Sequence, residues 1–165
     1  RLKASFYGVR YPPEALKMLK KAKIKYKGWL PNFMVPEVFG KYRMTVHVPR
    51  RPYVESLPGI PTIRPFEALA CGIPLICSPW NDSEHLFTPG RDYLVAANGE
   101  EMKKMMKLIL QDTCVARSLI YHGINTIQRK HTCDHRADEL MRIIHEIDLI
   151  RNRNIIHRHI RTEHK

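Results

Sequence analysis

One short predicted helix carries a carboxylate and a guanidinium whose types and spacing suit a nucleotide ligand. The helix is predicted over 62–72, with Glu67 in its second turn and Arg64 three residues earlier. Phosphates repel a carboxylate, but a carboxylate readily accepts hydrogen bonds from the two hydroxyls of a ribose that lies to one side. The residues alone leave two further interpretations open, in which Glu67 is a solvated helix residue or pairs with Arg64.

Four segments should meet where such a ligand would bind. Open parallel sheets bind ligands at the carboxyl ends of their strands, and residues 8–11, 47–51, 78–83 and the helix start at Thr62 are expected at that edge. Arginine offers planar, permanently charged donors, and a helix start offers free N–H groups and a positive dipole end. The candidate binding residues are Gly8, Arg10, Arg50, Arg51, Thr62, Arg64, Glu67, Asn81, Asp82 and Ser83.

Structural roles compete with binding at several positions in these segments. Arg50 and Arg51 are also explained as surface charges of a basic protein, whose formal net charge is +12. Asn81 and Glu84 form a capping-box pattern, which predicts the start of a helix rather than a ligand contact. Trp80 suits either stacking on a ring of the ligand or packing in the core.

Strands alternate with helices over the first two thirds of the sequence, which indicates parallel β-α-β units. Strands are predicted over 4–9, 24–26, 44–48, 74–77 and 93–96, and helices over 14–23 and 34–42 and from residue 62. Residues 49–61 contain four prolines and are predicted as a long loop, of a kind that is often functional. The expected fold class is therefore α/β.

The last third of the chain is predicted to be helical. Asn98 with Glu101 forms a capping box for the first of three helices, and Thr132 caps the third. Apolar residues follow at helical spacing in each helix, and the methionines among them are read as core residues. They are Met102, Met105, Met106, Ile109 and Leu110, then Ala116, Leu119, Ile120, Gly123 and Ile127, then Ala137, Leu140, Met141, Ile144 and Ile147. Residues 151–165 form a basic tail, either a helix extension or disordered.

Composition limits the class of protein. The chain has 165 residues and 44% hydrophobic content, which suits one folded domain over 1–150 followed by the tail. Every apolar run is shorter than the ~20 residues of a membrane span. The four cysteines contain no C-x-x-C pair, as expected of free thiols in a reducing cytoplasm. The H-x-C-x-H run over 131–135 has poor spacing for metal ligands, so no metal is predicted.

The positive charge leaves the class of anionic partner open. Nine of the first 30 residues are Lys or Arg and one is acidic, a balance that attracts polyanions, anionic lipid or nucleotide phosphates. A nucleic-acid-binding module is therefore an alternative function, but the aromatic residues do not interleave with the basic ones, which argues against a nucleic-acid partner. The G-x-G-x-x-G and G-x-x-x-x-G-K-[ST] motifs are absent, which argues against an NAD-linked dehydrogenase and a P-loop NTPase.

Ordered motifs over most of the chain resemble a known enzyme family. They are Tyr7-Gly8-Val9, Gly28-Trp29-Leu30-Pro31, Arg64-Pro65-Phe66-Glu67-Ala68-Leu69-Ala70-Cys71-Gly72-Ile73-Pro74-Leu75, and Leu86-Phe87 followed by Pro89-Gly90 and Asp92-Tyr93-Leu94-Val95. In this order they resemble the carboxy-terminal, donor-binding domain of GT-B glycosyltransferases, most closely the CgeB-like branch. The resemblance implies a Rossmann-like parallel sheet flanked by helices, with a helical carboxy-terminal segment. It also implies transfer of a sugar from a nucleotide-sugar donor, without a cofactor or metal.

The resemblance implies a role for each group of candidate residues. Glu67 would hold the ribose, and Arg64 with the helix start would face the phosphates. Residues 81–83 would approach the donor sugar or the diphosphate. Residues 8–10 and 47–51 would line the same cleft.

Two departures from the family pattern narrow what the resemblance implies. Many related enzymes have a second glutamate eight residues before the one at 67, and here that position is Gly59. The chain does not begin with Met, and we expect the amino-terminal domain of this family to lie outside it. The expectation is a donor-binding module that is incomplete for turnover, with an unknown acceptor. A catalytically silent remnant with a structural role is the third alternative.

Overall fold

Short strands alternate with helices in the computed structural model, which describes residues 3–49, 51–57 and 59–162. The strands are β1 (Ser5–Tyr7), β2 (Lys25–Gly28), β3 (Thr45–His47), β4 (Leu75–Cys77) and β5 (Leu94–Val95). The helices are α1 (Pro13–Lys21), α2 (Val35–Phe39), α3 (Arg51–Ser56), α4 (Ile63–Ala70), α5 (Gly99–Gln111), α6 (Thr113–Lys130) and α7 (Cys133–Thr162), with a 3-10 turn at Asn32–Met34. Apart from α3, each strand and α-helix overlaps one that the sequence predicts.

The strands pair in parallel and form two sheets. β1 pairs with β2, and the second sheet has the order β3-β4-β5. A hydrogen bond of 2.6 Å from the Tyr42 hydroxyl to Oγ of Ser5 joins the segment before β3 to β1. The predicted α/β class, with parallel strands flanked by helices, is confirmed. The described strands are divided between two separate hydrogen-bonded ladders.

The hydrophobic core surrounds β4. All three residues of this strand are at most 1% exposed, because helices cover both of its faces. One face packs in a cluster with residues of α2 and α4, and the other packs with Ile109 of α5 and Leu119 of α6. Met102, Met105 and Met106 pack against the second cluster, which confirms their predicted place in the core.

A buried carboxylate fixes the turn before β5. Asp92 is 2% exposed. Its two oxygens accept hydrogen bonds from the backbone N–H of Thr88, at 2.8 Å, and from the hydroxyl of Thr126 in α6, at 3.0 Å. These bonds compensate the burial of a polar group, and they anchor the turn to α6.

Side-chain caps confirm three of the predicted helix starts. Oδ1 of Asn98 accepts two backbone N–H groups of α5, each at 3.0 Å. Oγ1 of Thr132 accepts the N–H of His135 at 3.4 Å, and Oγ1 of Thr62 accepts the N–H of Arg64 at 3.4 Å. Each cap satisfies N–H groups that a helix start otherwise leaves free.

The prediction of one long loop over 49–61 is wrong, because part of this segment forms α3. The second residue of α3 is Pro52. Proline is tolerated in the first turn of a helix, where the N–H groups have no partner within the helix. The four prolines between residues 49 and 61 therefore did not exclude a short helix.

α7 also departs from the prediction, in what its apolar residues do. Met141 was predicted as a core residue, but it is 64% exposed, and Leu140 and Ile147 are each 57% exposed. Helical spacing reports that apolar residues share a face, but not whether another element covers that face. The helix continues past Arg151 to Thr162. Of the two predicted alternatives, a helix extension or disorder, these residues form the helix extension.

Candidate functional site

A cavity of about 410 Å³ lies at the carboxyl ends of β3 and β4. Parallel sheets commonly bind ligands at this edge. The polar lining residues are His47, Thr62, Ser78 and Asn81, and the described lining contains no acidic side chain. The rest of the lining is apolar or glycine, and α3 contributes Val54 to it.

His47, Thr62 and Arg64 are connected at the start of α4. Nε2 of His47 lies 3.0 Å from Oγ1 of Thr62, the same oxygen that accepts the Arg64 N–H. Burial of the imidazole lowers the pKa of His47, and the positive charge of Arg64 lowers it further. The result is a neutral imidazole that contacts the capping residue of α4 at neutral pH.

Glu67 lies in the second turn of α4 and pairs with Arg64. Nη1 of Arg64 is 2.6 Å from Oε2 of Glu67, and 16% of the Glu67 side chain is exposed. Oε2 is buried and accepts no hydrogen bond from the described residues, so the contact is an ion pair without hydrogen-bond geometry. The pairing that the sequence left open is therefore observed, and the carboxylate keeps unused hydrogen-bonding capacity.

Thr62 and Asn81 are the two candidate residues that line the cavity, within the described part of the chain. Ser83 lies beside the lining residue Gly59. A Cβ atom added to Gly59, whose φ is +86°, would be 2.6 Å from Oγ of Ser83. The loop after β4 thus packs directly against the backbone before α4.

Asp82 holds this loop together. Its carboxylate oxygens accept hydrogen bonds from the backbone N–H groups of Leu86, at 3.0 Å, and Phe87, at 2.9 Å. The described backbone of the loop contains no helix, so the capping-box interpretation of Asn81 and Glu84 is wrong. The carboxylate of Asp82 is occupied within the loop rather than free in the cavity.

Gly8 and Arg10 follow β1, in the other sheet. The Gly8 carbonyl accepts a hydrogen bond of 2.8 Å from the Tyr26 hydroxyl. Arg10 is exposed and has a φ of +61°, in the left-handed region that residues with side chains rarely adopt. Such strain concentrates at functional sites. Neither residue lines the cavity.

Of the two neighbouring arginines at 50 and 51, the structure describes the second. Arg50 lies outside the described residues. Arg51 is the first residue of α3, so the backbone that follows it runs towards the cavity-lining residue Val54.

Sequence reasoning missed two parts of the cavity. It marked the segment 47–51 without singling out His47, although an imidazole at the end of a predicted strand was a usable signal. It gave no sign of the apolar lining from Val54 and Leu57, because their position depends on α3 and on long-range packing.

The remaining chemistry of the described residues is limited. Within these ranges, no three His, Cys, Asp or Glu side chains lie close enough together to hold a metal ion. The same part of the chain has no helix with the length and hydrophobicity that crossing a membrane requires. The four cysteines are free thiols. Burial raises the pKa of Cys77, which is paired with His47 in the sheet register, to about 12.

A family comparison decides the class of protein. The family described as glycosyl transferase-like has a model that matches residues 1–142. The chain belongs to this glycosyl transferase-like family. None of the curated proteins matches the chain.

The glycosyl transferase-like chain also resembles solved structures. Sucrose-phosphate synthase from Thermosynechococcus elongatus aligns with a TM-score of 0.68 and 16% identity, over 87% of this chain and 38% of that protein. Alr3699/HepE from Anabaena, in complex with UDP-glucose, aligns with a TM-score of 0.62 and 16% identity, over 77% of this chain and 36% of HepE. The carboxy-terminal domain of LpcC, a glycosyl transferase group 1 family protein from Francisella tularensis, aligns with a TM-score of 0.56 and 12% identity, over 79% of this chain and 85% of that domain.

These comparisons confirm the predicted GT-B fold of this glycosyl transferase-like chain. It spans less than two fifths of HepE and of sucrose-phosphate synthase, and most of the LpcC carboxy-terminal domain. The narrower assignment to the CgeB-like branch stays a prediction.

Proposed function

We propose that this chain is the donor-binding domain of a glycosyltransferase that transfers a hexose from a nucleotide-sugar. The diphosphate of the donor binds at the start of α4, and the ribose binds against Glu67. The observation that carries this proposal is the arrangement along α4. Thr62 and Pro65 at its start line a cavity at the carboxyl edge of the sheet, and its second turn holds the Glu67 carboxylate, which contacts Arg64 at 2.6 Å.

The charge around the helix start favours an anion. A helix start carries a positive partial charge, and this charge remains at the start of α4 although Thr62 accepts the Arg64 N–H. No acidic side chain lines the described cavity, so no carboxylate of the lining repels a diphosphate there. Arg64 stands in the first turn with 37% of its side chain exposed, within reach of solvent and of a ligand.

The ion pair between Arg64 and Glu67 is compatible with both roles. A guanidinium has five N–H donors, so Arg64 can hold Glu67 through Nη1 and still donate to a phosphate through its other nitrogens. Pairing with Arg64 holds the Glu67 carboxylate in one place. A fixed carboxylate is suited to accept the two hydroxyl hydrogens of a ribose.

The identity of the donor is proposed from a structural neighbour. HepE is described in complex with UDP-glucose, and we take UDP-glucose as the first ligand to test on this chain. Because the chain spans little more than a third of HepE, the acceptor site is proposed to lie in a further domain. Turnover would require that domain.

The proposal is tested by calorimetric titration of UDP-glucose and of pyrophosphate into the wild type and Glu67→Ala. We expect the substitution to weaken UDP-glucose about tenfold, which is the size of hydrogen bonds to a charged group. Pyrophosphate should bind at least as well as before, because Arg64, no longer paired with Glu67, can contact a phosphate. Glu37→Ala, on the exposed face of α2, is the matched control. Equal weakening of both ligands, or of neither, would remove Glu67 from the site.

A further inference from the structure

We propose that His47 is a positioning residue of this site, which holds the Thr62 hydroxyl in the free protein and takes up a proton when a nucleotide diphosphate binds at the start of α4. The inference rests on the proposed function, because it requires the donor anion at that helix start. The family resemblance places residues 47–51 only along the cleft, and the inference adds a specific role for His47.

The geometry places His47 between the sheet and the helix. It is the last residue of β3 and lines the cavity beside Thr62. Its Nε2 is 3.0 Å from Oγ1 of Thr62. Any anion that reaches the start of α4 through this cavity therefore comes close to the imidazole.

The hydrogen-bond pattern leaves the Thr62 hydroxyl able to donate to His47. Oγ1 of Thr62 accepts the N–H of Arg64, and its single proton is left to donate. In a neutral imidazole with its proton on Nδ1, Nε2 accepts that proton. The hydroxyl is then fixed with its lone pair towards the Arg64 N–H, which strengthens the cap on α4.

The charges that face His47 keep it neutral in the free protein. Arg64 in α4 is a nearby cation, and it acts with burial to lower the pKa of the imidazole. In β4 the register partner is Cys77, a thiol that burial keeps protonated. No acidic side chain lines the described cavity, so the free site offers no partner for an imidazolium.

A bound diphosphate reverses this balance. Its negative charge offsets that of Arg64 and offers an acceptor to a protonated imidazole. The pKa of His47 therefore rises on binding, and the protein takes up a proton. By linkage, affinity for the donor increases as pH falls, between the pKa of the complex and that of the free protein.

The experiment is calorimetric titration of UDP-glucose near pH 6.5, in two buffers that differ in ionisation enthalpy. UDP-glucose is suitable because its diphosphate is esterified at both ends and does not titrate in this range. We expect uptake of a fraction of one proton by the wild type, and an affinity that rises by less than tenfold per pH unit as pH falls from 8 to 6. His47→Gln keeps an acceptor for Thr62 and should show neither effect.

His122→Gln is the matched control, because His122 contacts Arg91 outside the cavity and should leave proton uptake unchanged. Binding without proton uptake in the wild type, or equal uptake in His47→Gln, overturns the inference alone. Failure of the wild type to bind UDP-glucose overturns the proposed function and the inference with it. If His47→Gln does not fold, the NMR titration of the His47 ring with and without UDP-glucose decides, since an unchanged pKa contradicts the proposal.

Discussion

The two parallel sheets of this domain differ in how they are packed. No residue of β1, α1 or β2 is buried, and α1 ends in Lys20 and Lys21. In the other sheet, every residue of β4 is at most 1% exposed and two hydrophobic clusters flank it. The first sheet is held by hydrogen bonds and aromatic contacts, such as the 4.9 Å edge contact between Phe6 and Tyr11, whereas the second is held by burial.

This difference matters for the cavity, because its described lining comes from the elements around the second sheet. The cavity, His47 and α4 belong to the well-packed sheet, which can hold their positions closely. Arg10 follows β1 in the sparsely packed sheet and does not line the cavity. We therefore expect substitutions in the core of the second sheet to cost more stability than matched substitutions beside the first.

The largest expected effect is in β4. Leu75→Ala should lower the free energy of unfolding by about 2–5 kcal/mol, because it removes a fully buried side chain and leaves a cavity. The matched change beside the first sheet is Leu19→Ala in α1, where the Leu19 side chain is half-buried. It should cost about 1 kcal/mol. Urea denaturation measures both. If Leu75→Ala prevents folding, Ile76→Val replaces it, with an expected cost of about 0.5–1.5 kcal/mol. Equal costs in the two sheets would contradict the difference in packing between them.

A smaller effect is expected where α6 crosses α4. A Cβ on Gly123 would be 2.8 Å from Cδ2 of Leu69, which is 2% exposed and cannot easily move. The steric cost should exceed the gain in helix propensity, so Gly123→Ala should lose about 1 kcal/mol. Gly99→Ala, at the start of α5 with open space around it, should instead gain about 0.5 kcal/mol. Thermal unfolding that gave both variants the same sign would contradict the close packing of α6.

The smallest effect concerns the backbone of Arg10. Glycine is ordinarily less stabilising than alanine, but at a φ of +61° a side chain adds strain. Arg10→Gly should therefore be more stable than Arg10→Ala by about 0.5 kcal/mol. At Lys17 in α1 the order should be reversed, with alanine preferred by about 1 kcal/mol. Matching orders at the two positions would show that the Arg10 backbone is not strained.

Features that depend on neighbours in sequence could be predicted from it. Asn98 and Thr132 cap helices as expected, because a cap needs only a side-chain oxygen and an N–H two or three residues later. The pairing of Arg64 with Glu67 was among the alternatives for the same reason. Strand and helix alternation was enough to indicate the parallel α/β class.

Features that depend on distant contacts could not be predicted in this way. The exposure of Met141 is decided by what packs over α7, and the division into two ladders by the placement of whole units. Asp82 binds the N–H groups of Leu86 and Phe87, although the same segment also matched a capping box. The contact of His47 with Thr62 joins residues 15 positions apart and required the three-dimensional structure.

The close approach of Gly59 to Ser83 constrains how this chain could change over evolution. Many related enzymes have a glutamate at the position of Gly59. A glutamate here would require the left-handed backbone to change conformation and the Ser83 side chain to move away. Gly59→Glu by itself should therefore be poorly tolerated, and a smaller residue at 83 would relieve the clash with Oγ but not the left-handed backbone.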